Sequence, residues 1–114
     1  MRIISFLSSN MELTPAIRSY AEEKAEVFEK MTEDWQPAEL RIEVGKTTNH
    51  HAKGPYFKAE MQLSIPGEVL RATEEAEDLY EAIDKVRDNL RRQLKEYKER
   101  KQDARERAPR PGKE

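Results

Sequence analysis

Two segments of this chain alternate apolar and polar residues strictly, and that period constrains the fold more than any other feature. Ala38, Leu40, Ile42 and Val44 fall on one side, with Glu39, Arg41 and Glu43 on the other. Phe57, Ala59, Met61, Leu63 and Ile65 likewise alternate with Tyr56, Lys58, Glu60, Gln62 and Ser64. A period of two belongs to a strand with one face buried. Pro66-Gly67 then supplies a tight reversal, with glycine free to take a positive φ. The returning stretch "EVLRATE" (68–74) turns Leu70 and Ala72 inward. Strands over 38–47, 56–65 and 68–74 are therefore expected, with "TTNHHAKGP" as a polar loop between the first two.

The flanking segments follow different rules. "RIISFL" (2–7) is short, apolar and β-leaning. Thr14-Pro15 has the form of an N-cap followed by a first helical residue, where proline loses no hydrogen bond. Ile17, Ala21, Ala25 and Phe28 then recur at helical spacing and predict a helix over about 14–31, ended before Pro37. From near Ala76, a stripe of Leu79, Ile83, Val86, Leu90, Leu94 and Tyr97 predicts a second helix long enough to lie across a sheet. After about Arg100, "KQDARERAPRPGKE" loses its apolar positions, so residues 102–114 are expected to form a disordered charged tail. The order β-α-β-β-β-α gives an α+β fold: a four-stranded, mostly antiparallel sheet with two helices on one face. The other face, with Glu39, Arg41, Glu43, Lys58, Glu60, Gln62 and Arg71, is expected to stay in water.

A chain of 114 residues supports one domain, here assigned to residues 1–101. Only 36% of residues are hydrophobic and 39% are charged, so the core must be thin and its shell heavily charged. The absence of cysteine excludes disulfides, thiolate catalysis and thiolate metal sites. No apolar run approaches the roughly 20 residues that span a bilayer, and "MRIISFLSSN" lacks the pattern of a signal peptide. A cytoplasmic protein without membrane attachment, cofactor or metal is expected.

The formal net charge of −2 conceals an uneven distribution. Residues 22–43 carry a balance of −5, and residues 85–101 a balance of +5. Such asymmetry points to a polyanionic partner. On the second helix, Arg87, Arg91, Lys95 and Lys98 project onto one flank of the apolar stripe, while Arg92 and Lys85 lie further round. Asp84 and Asp88 share the flank and offer ion pairs to Arg91 and Arg92. A solvated face held by ion pairs is the plain alternative. The first helix offers Arg18, Lys24 and Lys30, of which Arg18 and Lys24 could face the same groove if the helices lie side by side.

Other candidate sites are weak. His50-His51 are adjacent on an extended loop, point apart, and have no cysteine or spaced carboxylate to complete a metal site. Trp35 is expected to cover an end of the sheet, although an aromatic beside a loop can also stack on a base. With four glycines and no glycine-rich phosphate loop, nucleotide hydrolysis has no support.

Taken together, "NMELTPAIRSYAEEKAEVFEK", the Pro-Gly hairpin, "LRATEEAEDLYEAID" and "LRRQLKEYKERK" resemble the ribosome hibernation-promoting factor and ribosome-associated inhibitor family. The resemblance covers about residues 1–101, and "EDLYEAID" followed by "LRRQLKEYK" is its most specific part. It implies a double-stranded-RNA-binding-domain-like β-α-β-β-β-α domain that binds small-subunit ribosomal RNA in the channel of messenger and transfer RNA. It also implies a non-enzymatic inhibitor of translation in stationary phase or stress, monomeric off the ribosome. By position, Arg87, Arg91, Arg92, Lys95, Lys98 and Lys101 match the family's basic second-helix end, and Arg18 and Lys24 its first-helix cations. Residues 102–114 are too few and too polar for the dimerisation domain of long members, so a short form, or a shortened piece of a longer protein, is expected. Two other readings stay open: a protein–protein interaction module built on the charged helix, and a small enzyme using His50 or His51.

Overall fold

Each alternating segment forms a strand, and each stripe at helical spacing forms a helix. A computed structural model describes residues 1–47 and 56–107, with side chains described as far as residue 104. Its elements are β1 (Arg2–Ser9), α1 (Pro15–Met31), β2 (Glu39–Lys46), β3 (Phe57–Ile65), β4 (Glu68–Ala76) and α2 (Leu79–Arg107). The four strands make one sheet in the order β1-β2-β3-β4. β2, β3 and β4 are antiparallel neighbours, whereas β1 and β2 are parallel. The parallel pair follows from α1, which carries the chain back to the end of the sheet where β1 began. The expected α+β arrangement is present, with this one parallel pair.

Pairing aligns the apolar face. Leu40 lies opposite Leu63, which lies opposite Leu70, and Ile42, Met61 and Ala72 form the next row. All six are buried. Because side chains alternate, a slip of one residue would send every one of them to the solvent face. Gly67 has φ +85° in the β3–β4 turn, the left-handed conformation expected of it. Gly45 is required for a different reason. A Cβ at this position would sit 2.6 Å from the Ser9 carbonyl oxygen, so its lack of a side chain is what lets β1 approach β2.

α2 lies across β3 and β4, and α1 packs beside it. Ala82, Ile83, Val86, Leu90 and Leu94 are fully buried beneath α2, and Ala21, Ala25 and Phe28 beneath α1. The α1 start is capped as its sequence predicts: the Ile17 amide donates to Thr14 Oγ1 at 3.2 Å. Its end is secured by buried Thr32, whose hydroxyl donates to the Phe28 carbonyl at 2.7 Å. α2 begins three residues later than Ala76. Asp78 accepts from the Tyr80 amide at 3.0 Å, and its carbonyl accepts from Ala82, which fixes the first turn. α2 also runs further than expected, so residues 102–107, read from sequence as the start of a tail, are helical. Residues 108–114 and the His50-His51 loop lie outside the described residues.

Candidate nucleic-acid interface

Three contacts define how the helices lie. Tyr20 meets Tyr80 edge-on with ring centroids 4.8 Å apart, Lys24 reaches Asp84, and the Met31 carbonyl accepts from Lys98. Residue numbers rise together on both helices, so α1 and α2 run parallel. The flank of α2 turned towards α1 carries Asp84, Arg87, Arg91, Lys95 and Lys98, as the helical projection predicts. From Arg87 to Lys98 this flank extends about 16 Å at the helical rise.

The cations on it are not equivalent. Arg87 donates from Nε to Asp88 at 2.7 Å, and its side chain is 25% exposed. Lys98 is half-buried; its ammonium donates to the Met31 carbonyl at 2.9 Å and lies 5.5 Å from the centre of the Trp35 ring. That position satisfies a carbonyl at the end of α1 and places positive charge at the negative end of its dipole. Arg91 and Lys95 are exposed, and neither has a carboxylate within ion-pair distance among the described residues.

Expected ion pairs between Asp84 or Asp88 and Arg91 or Arg92 do not form. Asp84 instead turns across the helix interface, accepting from the Tyr20 hydroxyl at 2.7 Å and pairing with Lys24 at 3.5 Å. The Tyr20 phenol is pushed up to about 12, chiefly because it donates to Asp84, with burial and the Asp84 charge adding to the effect. Tyr20 thus stays a hydrogen-bond donor through the neutral range. Arg92 lies further round and donates weakly to Asn89 Oδ1 at 3.5 Å.

Lys24 joins the interhelical groove, but Arg18 does not. The Arg18 guanidinium lies 4.9 Å from the centre of the Phe6 ring and 3.7 Å from Glu22, on the β1 side of α1. Three residues from Ala21 in one direction lead to the α2 side and three in the other lead away from it, so spacing alone could not assign both cations to one groove. Lys101, with Arg100, extends the charge beyond the sheet, and both lie over the Tyr97 ring at 5.6 and 5.9 Å. Tyr20 and Asp84 were not visible as site residues in the sequence because their contact joins positions 64 apart.

The model of the Sigma 54 modulation protein / S30EA ribosomal protein family matches residues 4–102. The chain belongs to that family. Among its relatives, the ribosome hibernation promotion factor of Deinococcus radiodurans is 35% identical over 100 residues, covering 88% of this chain and 51% of that protein. The Picosynechococcus protein of the same name is 36% identical over 93 residues, covering 81% of this chain and 47% of the relative. The chain thus spans about half the length of the curated relatives it matches. The crystal structure of the Thermus thermophilus Protein Y N-terminal domain is 31% identical, with a TM-score of 0.68 over 85% of this chain and 99% of that one. A ribosomal subunit interface protein from Coxiella burnetii shares the fold at 22% identity, with a TM-score of 0.63 over 86% of this chain and 98% of its own.

Among the described residues, no group of three His, Asp or Glu side chains is placed to hold a metal ion. No described helix is long and apolar enough to cross a membrane.

Proposed function

We propose that this chain is a ribosome hibernation factor domain that binds small-subunit ribosomal RNA in the channel of messenger and transfer RNA and so holds translation off. The observation that carries this reading is the pair Arg91 and Lys95, exposed and without carboxylate partners among the described residues on a flank that continues to Lys98 and Lys101. Exposed Arg41 and Lys30 also lack a carboxylate at ion-pair distance among the described residues, but Arg91 and Lys95 stand one helical turn apart on a single flank and so face the same way. These two are left for an external anion. Folded RNA is recognised largely through its shape and phosphates, which a helix flank can meet without reading sequence. The names of the relatives, ribosome hibernation promotion factors, support the ribosome as the partner.

In this reading Arg87, Arg91, Lys95 and Lys98 form the main strip, with Arg92 and Lys101 at its margins and Lys24 at its α1 border. Arg18 makes a separate, lesser contact. Residues 1–101 constitute the ribosome-binding unit. The protein works in the cytoplasm as a monomer until it docks, and it acts by occupancy rather than by catalysis.

Ribosome pelleting across a salt series tests the reading, with the Arg91→Glu/Lys95→Glu variant beside the unaltered chain. Neither residue touches the core, so the melting temperature should hold. Binding of the variant should weaken strongly, and its dependence on salt should flatten by roughly 0.7–0.9 in log–log slope for each phosphate that the variant leaves unneutralised. Equal affinity and equal slope would reduce the strip to a solvated helix face.

A further inference from the structure

Where the cationic flank ends, the fold leaves an aromatic cleft that the strip does not account for. It has a volume of about 220 Å³ and is lined by Asp34, Trp35, Gln36, Pro66, Tyr97 and Lys101. Three elements build it: the α1–β2 connection, the β3–β4 turn and the far part of α2. Trp35 and Tyr97 pack edge to face with centroids 5.4 Å apart, and Trp35 is half-buried. Gln36 is a fixed rim, because its side-chain amide donates to the Thr32 carbonyl at 2.8 Å while its oxygen accepts from the Ala38 amide. Lys98, Arg100 and Lys101 all hold their charges over these two rings.

We propose that this cleft receives one unpaired base of an RNA strand, stacked against Trp35, with a neighbouring phosphate on Lys101. The proposal deepens the ribosome-binding reading and rests on RNA being the partner. A flat, π-bearing ligand suits an aromatic wall, and an adjoining phosphate suits the ring of ammonium and guanidinium groups above it. The Asp34 carboxylate at the rim is a hydrogen-bond acceptor. It can accept from the exocyclic amino group of adenine, which offers two N–H donors, where uracil offers only its single N3–H. A phosphate alone would find the lysines equally well on the open flank, so the aromatic floor is what distinguishes this position.

Trp35 is the only tryptophan in the chain, so its fluorescence reports on the cleft wall, and the abasic oligomer controls for binding on the neighbouring strip through Lys98. Titration with a hexa-adenylate oligomer should quench it saturably. An abasic hexamer of the same backbone should bind on the order of tenfold more weakly and leave the emission nearly unchanged. Lys101→Ala, a change at an exposed position, should weaken both oligomers by a similar factor without lowering the melting temperature. Asp34→Asn should narrow the preference for hexa-adenylate over hexa-uridylate. Equal binding of the adenylate and abasic oligomers, or binding seen by oligomer anisotropy without any change in Trp35 emission, would overturn the base site. Ribosome pelleting separates base binding in the cleft from binding of the ribosome. Pelleting without a change in Trp35 emission removes the cleft and keeps the ribosome reading. Quenching by hexa-adenylate without pelleting does the reverse.

Discussion

Lys95 and Lys98 stand three residues apart on α2, yet their ammonium groups meet different surroundings. Lys95 ends in water, whereas Lys98 satisfies the Met31 carbonyl at 2.9 Å and lies over Trp35. Sequence spacing placed both on one flank and could not separate them, since the carbonyl that Lys98 finds belongs to another helix. Replacing Lys98 by methionine keeps the aliphatic stem and removes the bond, which should cost about 1 kcal/mol in urea unfolding. Lys95→Met should cost nothing measurable. Tyr20 shows the same cross-helix dependence in its titration. Its folded pKa lies at about 12 against 10.0 for a free phenol, so folding favours the protonated form. The stabilisation is fully present below pH 10 and is lost as pH rises towards 12. The phenolate absorbance of the native chain should therefore contain a late component near pH 12 that Tyr20→Phe removes. The stability difference between the two chains should shrink over the same interval. A late component surviving in Tyr20→Phe would assign it to another tyrosine.

Elements were far more legible than contacts. The alternation around Ile42 and Met61 and the Leu79–Tyr97 stripe each encode a burial direction, and burial direction is what periodicity measures. The Thr14-Pro15 cap and the Pro66-Gly67 turn are local chemistry and appear where their residues stand. The helix end was less legible, because the apolar stripe stops at Tyr97 while the backbone continues through Arg100 to Arg107. Those residues are mostly good helix formers, and the first proline of the tail comes only at Pro109, so propensity carries the helix beyond its core contacts. Arg18 was the cation whose placement spacing could not settle, because assigning it needed the side of α1 on which α2 packs. Gly45 gave no signal at all. Nothing in "RIEVGKT" says that a strand backbone will pass where a side chain would stand. Gly45→Ala puts a Cβ 2.6 Å from the Ser9 carbonyl oxygen, and a backbone atom cannot yield as a side-chain tip can. A loss of roughly 1–3 kcal/mol in equilibrium unfolding is expected, by the cost of overpacking. Unchanged stability would mean that β1 shifts away from β2 freely.

At the scale of the molecule, one helix flank carries a row of cations that the sheet face does not. The open side of the sheet mixes signs: Arg71 and Thr73 both donate to Glu60, Ser9 donates to Glu43, and exposed Arg41 lies on β2 between Ser5 of β1 and Gln62 of β3. The helix side places exposed Arg91 and Lys95 beside Lys98, on the flank that leads past the sheet end. A polyanion approaching such a molecule feels its net charge at long range and its local arrangement only on contact. Single charge reversals separate these contributions, because Arg41→Glu, Arg18→Glu and Arg91→Glu alter net charge by the same amount. If contact with RNA is confined to the groove side of α2, Arg91→Glu should lower ribosome affinity most and flatten the salt dependence by roughly 0.7–0.9 in log–log slope. Arg41→Glu should shift affinity only slightly and leave the slope unchanged. Arg18→Glu should fall between them, since Arg18 lies over Phe6 on the far side of α1 and outside the groove. Three equal losses would mean that overall charge steers the encounter and that no face is privileged. An Arg18→Glu loss equal to that of Arg91→Glu would widen the interface to span both flanks of α1.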